Sequence, residues 1–257
     1  MAIRGAVGEA LRGSVSAYHG FREETAAPVS RLEGPGRDVV LLISFGEEWS
    51  IDGERLQSFA AGLRDRQVAT RHEGRSHGIH VDISPLAAGR LFGLPLHELA
   101  ERQVPLESIL DEPFLAERLH DAETWDERFR LLDDVLATRL AESDPPPPEI
   151  AWAWTQLVET DGAVRIGDLA RELGWSRKRI VARFREAVGL PPKRAARLLR
   201  FERARALAES AMQPGPDWAW IAREAGYYDQ SHLINDFRAV TGRTPETFFQ
   251  DSIAATA

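Results

Sequence analysis

The chain has 257 residues, 43% of them hydrophobic and 28% charged, which excludes disorder and collagen and suits one large or two modest globular domains. Thirty-two Lys+Arg against 40 Asp+Glu give a formal net charge of -8, an average that argues against nucleic acid as a partner. The absence of cysteine removes disulfides, thiolate zinc sites and cysteine nucleophiles together. No apolar run reaches the roughly 18 residues of a membrane span and no signal-peptide core precedes the fold, so a cytoplasmic location without a membrane partner is expected.

In the first half, short runs rich in β-branched and aromatic residues are punctuated by Gly and Asp, at 14–21, 38–45, 57–61, 67–72 and 78–83. They predict an antiparallel sandwich or barrel of cupin-like type. Tyr18, Phe45, Trp49 and Phe59 are its candidate effector-pocket residues. His72, His77 and His80 beside Glu73 raise an alternative, a cupin-like metal-dependent enzyme fused to a second domain. Strand alternation opposes it, because His80 shares a face with Gly78 and Asp82 while His77 points the other way with Ile79, Val81 and Ile83. No metal, no cofactor and no enzymatic activity are therefore expected.

After Pro85 the spacing turns helical, and residues 124–141 predict a long amphipathic helix whose apolar face packs on its own domain, forms a dimer seam, or both. Pro145-Pro146-Pro147-Pro148 cannot continue a helix and marks a linker over 145–150. That divides the chain into a regulatory or dimerisation domain, 1–144, and a helical domain, 151–257.

The helical part contains a repeat. Leu169-Ala170-Arg171-Glu172-Leu173-Gly174-Trp175 matches Ile221-Ala222-Arg223-Glu224-Ala225-Gly226-Tyr227. Phe184-Arg185, Gly189 and Pro192 then match Phe237-Arg238, Gly242 and Pro245, with Tyr228 as one extra turn residue. Each copy reads as helix, glycine turn, helix: 166–173 then 177–187 behind the cap Ser176, and 217–225 then 230–240 behind the cap Asp229. A helix opened by Pro191-Pro192 and running to about 211 joins them. The expected fold class is thus α+β: a β-rich domain with helices, then an all-α domain with two helix-turn-helix units joined by a long helix.

Over about 154–249 these residues resemble the AraC/XylS-type transcriptional regulators, through the paired glycine turns, the Phe-Arg framing and the Gly242-Arg243-Thr244-Pro245 ending. The resemblance implies a regulator that binds double-stranded promoter DNA sequence-specifically, with an N-terminal domain that senses a small-molecule effector or dimerises. RNA polymerase and a second copy of the chain are further partners left open. On the helical wheel Ile180, Phe184 and Ala187 face inward. Lys178, Val181 and Ala182 are then base-reading candidates, joined in the second unit by Gln230, Ser231 and Asn235, with Ile234 also facing out. Arg177, Arg179, Arg183 and Arg185, with Arg194, Arg197 and Arg200 on the connector, are phosphate candidates. Members of the family often carry Arg two residues before the core Phe; here Ala182 and Asn235 stand there, so a guanine contact is missing twice.

The charge divides along the same boundary. Residues 151–257 hold 16 Lys+Arg and 13 Asp+Glu, a net of +3, leaving 16 basic and 27 acidic residues, a net of -11, in the first 150. Between 165 and 205 there are 13 basic and four acidic residues, a local +9 on and beside the first unit.

Overall fold

The computed structural model describes residues 1–211 and 216–254, with side chains as far as 250. Its N-terminal part contains strands β1 (Ala2–Gly5), β2 (Val15–Glu24), β3 (Val29–Glu33), β4 (Val39–Ser44), β5 (Trp49–Ile51), β6 (Glu54–Leu56), β7 (Phe59–Ala61), β8 (Val68–His72), β9 (Arg75–Ile83) and β10 (Gln103–Pro105). All pairings are antiparallel, in a six-stranded sheet ordered β1-β2-β9-β4-β7-β10 and a four-stranded sheet ordered β3-β8-β5-β6.

Alternation along β4 explains the layering. Val39, Leu41 and Ile43 join the core beneath the helices, while Leu42 and Val40 turn toward the four-stranded sheet with Trp49, Ile51 and Phe59. The six-stranded sheet thus has helices on one face and the second sheet on the other. Its helices are α1 (Pro85–Phe92), α2 (Leu115–Asp121) and α3 (Trp125–Glu142). The apolar face predicted over 124–141 is covered within the chain: Phe129, Leu132, Val135, Leu136 and Leu140 of α3 are all buried. Tyr18 is sealed beneath this helix, stacked on Phe129 at 5.7 Å with its hydroxyl donating to Asp133 at 2.8 Å.

A reciprocal cap sets where α3 begins. The Thr124 hydroxyl accepts from the Glu127 N–H at 3.2 Å, and the Glu127 carboxylate accepts from the Thr124 N–H at 3.0 Å. Thr124→Ala is expected to cost about 1 kcal/mol, seen as a lower urea midpoint with an unchanged slope.

The helical part comprises α4 (Pro148–Glu159), α5 (Ile166–Glu172), α6 (Arg177–Val188), α7 (Pro192–Ser210), α8 (Trp218–Glu224), α9 (Gln230–Thr241) and α10 (Pro245–Ala254). Helix α4 starts inside the span read from sequence as linker. Pro148 occupies its first turn, where a missing N–H leaves no bond unmade. One buried core runs from the β-domain helices through Trp154 and Phe184 to Leu199, so the first helix-turn-helix unit is built onto the N-terminal domain. The second unit has a separate core around Phe201, Ile221, Leu233, Phe237 and Phe249. No helix among the described residues is long and apolar enough to cross a membrane.

Candidate nucleic-acid interface

Each unit is assembled from its turn outward. Gly174 and Gly226 take positive φ, 63° and 75°, the left-handed conformation that reverses the chain without a Cβ clash. Ser176 then caps α6, its hydroxyl accepting from the Arg179 N–H at 3.2 Å, and Asp229 caps α9 by accepting from the His232 N–H at 2.8 Å. Helix α6 buries Ile180, Phe184 and Val188; α9 buries Leu233, Phe237 and Val240. The connector α7 has 19 residues, or about 28 Å at 1.5 Å each, somewhat short of the roughly 34 Å between successive major-groove faces.

The outer faces carry most of the sequence candidates. Lys178, Val181, Ala182, Gln230, Ser231 and Asn235 are all exposed. Ile234 is half-buried against the second core instead of facing outward, because the inward arc of α9 is broad enough to include it. Arg177, Arg179, Arg183 and Arg185 are exposed as well. Arg179 stacks its guanidinium 4.4 Å over Trp175, and Arg183 pairs with Glu186 at 2.8 Å.

The connector arginines are placed differently. Arg194 forms a two-pronged pair with Asp65, at 2.7 and 2.6 Å, and also contacts Glu101; Arg197 reaches the same Asp65 carboxylate. Arg200 donates to the Gly162 carbonyl at 2.8 Å and lies over Tyr227. All three connector cations expected to meet phosphates are therefore engaged within the chain, two of them by carboxylates of the N-terminal domain. Burial alone would raise the Asp65 carboxyl, but the bonds and charges of Arg194 and Arg197 outweigh it and hold the group below the usual carboxylate range.

The loop between β7 and β8, residues 62–67, makes that contact and two others. Gln67 donates its N–H to the Val240 carbonyl at 3.0 Å, touching the end of α9. Arg64 and Arg66 line a cavity of about 480 Å³ between the two sheets, closed on one side by Glu202 and Arg205 of α7. Trp49 and Phe59 line this cavity with Phe21, Val40, Leu42 and Ile51. Tyr18 and Phe45 lie on the opposite face of the six-stranded sheet, Tyr18 against Phe129 and Phe45 against His77 and His120. The two aromatic pairs lie on opposite sides of the six-stranded sheet, so a single pocket cannot collect all four.

The histidines follow the alternation read from sequence. His80 bonds Asp82 at 2.8 Å on the cavity side, with His19 bridging to the same carboxylate at 3.2 Å, whereas His77 sits under the helices near Trp125. Burial raises the Asp82 carboxyl, yet His80 and His19 hold it low. His72 is buried against Glu23 at 3.0 Å. Among the described residues no group of three or more His, Asp or Glu side chains is arranged to hold a metal ion.

Glu202 is what the sequence did not mark. Its carboxylate accepts from the Arg37 N–H at 3.1 Å across the domain seam, and burial pushes its pKa up to about 7 against the opposing influence of Arg37. Asp65, Glu101 and Arg64 were equally unmarked, since each matters only for what the fold brings opposite it.

Residues 169–251 match a family described as a helix-turn-helix domain. No curated protein matches the chain. Among solved structures, ToxT from Vibrio cholerae is 11% identical over 91% of this chain and 98% of its own, with a TM-score of 0.49. The AraC-like transcriptional activator CuxR is 12% identical over 87% and 91%, with a TM-score of 0.31. Residues 169–251, which contain both glycine turns, thus form a region similar to that helix-turn-helix family.

Proposed function

We propose that the protein binds promoter DNA sequence-specifically as a transcription regulator, with α6 and α9 entering successive major-groove segments and a small-molecule effector held in the cavity between the sheets. Lys178 donates to guanine O6 or N7, Val181 and Ala182 meet thymine methyls, and Gln230, Ser231 and Asn235 read the second segment, where the two amides suit adenine. Arg177, Arg179, Arg183 and Arg185 hold phosphates. Arg194 and Arg197 join them only when Asp65 releases them, while Arg200 stays committed to Gly162 and contributes to the fold. Base recognition requires no enzymatic step. The observation that carries this reading is the exposed cationic face of α6, set on a capped helix whose other face buries Ile180, Phe184 and Val188.

A shift assay with duplex DNA from upstream of the chain's own coding region, at two salt concentrations, tests it. Lys178→Ala is expected to weaken specific binding by about 1–3 kcal/mol, roughly 5- to 150-fold, and to relax preference at one position. Arg185→Ala should instead weaken all sequences alike and lower the salt slope by about one. Absence of duplex binding, or binding indifferent to salt, overturns the proposal.

A further inference from the structure

The two helix-turn-helix units carry opposite charge. Against the local +9 on and beside the first, residues 206–257 hold three Lys+Arg and seven Asp+Glu, a net of -4. The contrast is sharpest where each reading helix begins. Helix α6 opens behind the neutral cap Ser176 with Arg177, Lys178 and Arg179, all exposed. Helix α9 opens behind the carboxylate of Asp229 with Gln230, Ser231 and His232, and so has no Lys or Arg in its first turn. That carboxylate already takes the His232 N–H, so a phosphate approaching the helix end meets a negative charge. The unit's arginines stand elsewhere. Arg223 pairs with Glu224 at 3.4 Å, Arg238 lies in the last turn of α9, about 12 Å along the axis from Gln230, and Arg243 follows the helix.

Tyr228 occupies the place that no cation fills. It is the residue by which the second turn is longer than the first, it directly precedes the cap Asp229, and it is 93% exposed. Its neighbour Tyr227 is buried, edge-on to His232 at 5.2 Å and beneath Arg200, which ties the turn to the core and leaves Tyr228 outside. A single exposed aromatic residue is ordinary on a protein surface. This one stands beside the exposed Gln230 and Ser231, at the end of the helix that reads bases, where the sugar-phosphate backbone borders the groove. A phenol offers that backbone one O–H donor and no charge.

We propose that Tyr228 anchors the second unit to DNA through an uncharged contact, its hydroxyl donating to a phosphate oxygen that borders the major-groove segment entered by α9. This rests on the reading of α9 as a DNA-reading helix and names the group that holds it in place. A neutral donor releases no counterion, so the salt-sensitive part of the affinity belongs to α6 and its neighbouring arginines, while the part supplied by Tyr228 persists at high salt. Trp220, another exposed aromatic residue of this unit, is not part of the anchor. Its counterpart in the first unit's repeat is Asp168, a carboxylate that no phosphate contact would favour.

The test titrates the full chain with duplex DNA from upstream of its own coding region, at several salt concentrations. Tyr228→Phe keeps the ring and removes only the hydroxyl; it is expected to weaken binding about fivefold or more at every salt concentration, with the salt slope unchanged. Tyr228→Lys should recover the affinity at low salt and steepen the slope by about one. Trp220→Ala should bind as wild type does. Duplexes with single methylphosphonate linkages, which remove the charge of one phosphate, locate the contact: one linkage in the second segment should weaken wild type several-fold and leave Tyr228→Phe unmoved. Wild-type affinity in Tyr228→Phe, an equal loss in Trp220→Ala, or a loss in Tyr228→Phe that no linkage reproduces overturns the assignment. Duplex binding by the wild type, measured in parallel, separates a failure of this inference from a failure of the regulator reading.

Discussion

Asp65→Asn in the full chain is expected to loosen the two domains and to raise affinity for duplex DNA. The Asp65 side chain is 9% exposed and serves two arginines that are 40% and 30% exposed. Removing one partner of a buried pair strands the other, at about 3–5 kcal/mol when burial is complete; with the arginines partly solvated, about 1–3 kcal/mol is expected. Asparagine has nearly the same shape and can still accept a hydrogen bond, so the effect isolates the charge. Urea unfolding gives the stability loss, and small-angle scattering gives the opening. DNA titrations should show tighter binding with a steeper salt dependence, because Arg194 and Arg197 then release counterions from the duplex. Unchanged DNA affinity would make the ion pairs structural only. Acid should mimic the substitution. The Asp65 carboxyl is held below its ordinary range, so its contribution is complete above the unfolded pKa and is lost as pH falls through the lower folded value.

Glu202→Gln is expected to act in the opposite direction. The groups facing this carboxylate are Arg37 and Asp38 from the segment joining β3 to β4, and Arg205 one turn along α7; burial dominates over all three. With a folded pKa of about 7 against an ordinary 4.5, the folded state keeps its proton where the unfolded state has lost it. Stability therefore falls as pH rises from near the lower value to near the higher, and is flat beyond. That shift corresponds to roughly 3 kcal/mol, which Gln, still able to accept from the Arg37 N–H, should restore at pH 8. Chemical denaturation of both proteins at pH 5 and pH 8 checks it: the two curves should lie close at pH 5 and separate at pH 8. A constant difference at both values would place the titration elsewhere.

The helical domain was readable because its evidence is local. Ser176, Gly174, Asp229 and Gly226 cap and turn within their own few residues, and the spacing of Ile180, Phe184, Leu233 and Phe237 fixes which face is inward whatever lies opposite. The β-domain was readable where alternation runs long enough to count, as in β9; of its three-residue strands only β7, inside the apolar run 57–61, was legible, and β5, β6 and β10 were not. β3 was missed for another reason: Val29–Glu33 is mostly exposed and contains only Val29 and Leu32 as apolar residues, so no buried face announces it. The assignment of Arg194 and Arg197 to phosphate rested on sign and spacing, which cannot distinguish a phosphate from a carboxylate 129 or 132 residues away in the chain. The cavity depended on which side of the sheet each aromatic residue faces, and Phe45 lies just beyond the end of β4, where alternation stops being a guide.

The shared use of Arg194 and Arg197 has a thermodynamic corollary. If a carboxylate and a DNA backbone compete for the same two guanidinium groups, closure weakens DNA binding by the same free energy with which DNA weakens closure. Free energies of binding carry no direction of command, so DNA that takes these arginines acts back on the contact between the two domains. Any ligand that favours closure must bind the free chain and the DNA-bound chain with affinities that differ by the factor with which it shifts DNA affinity. Asp65 is the residue at which the closed and the DNA-bound arrangements would exchange these two arginines.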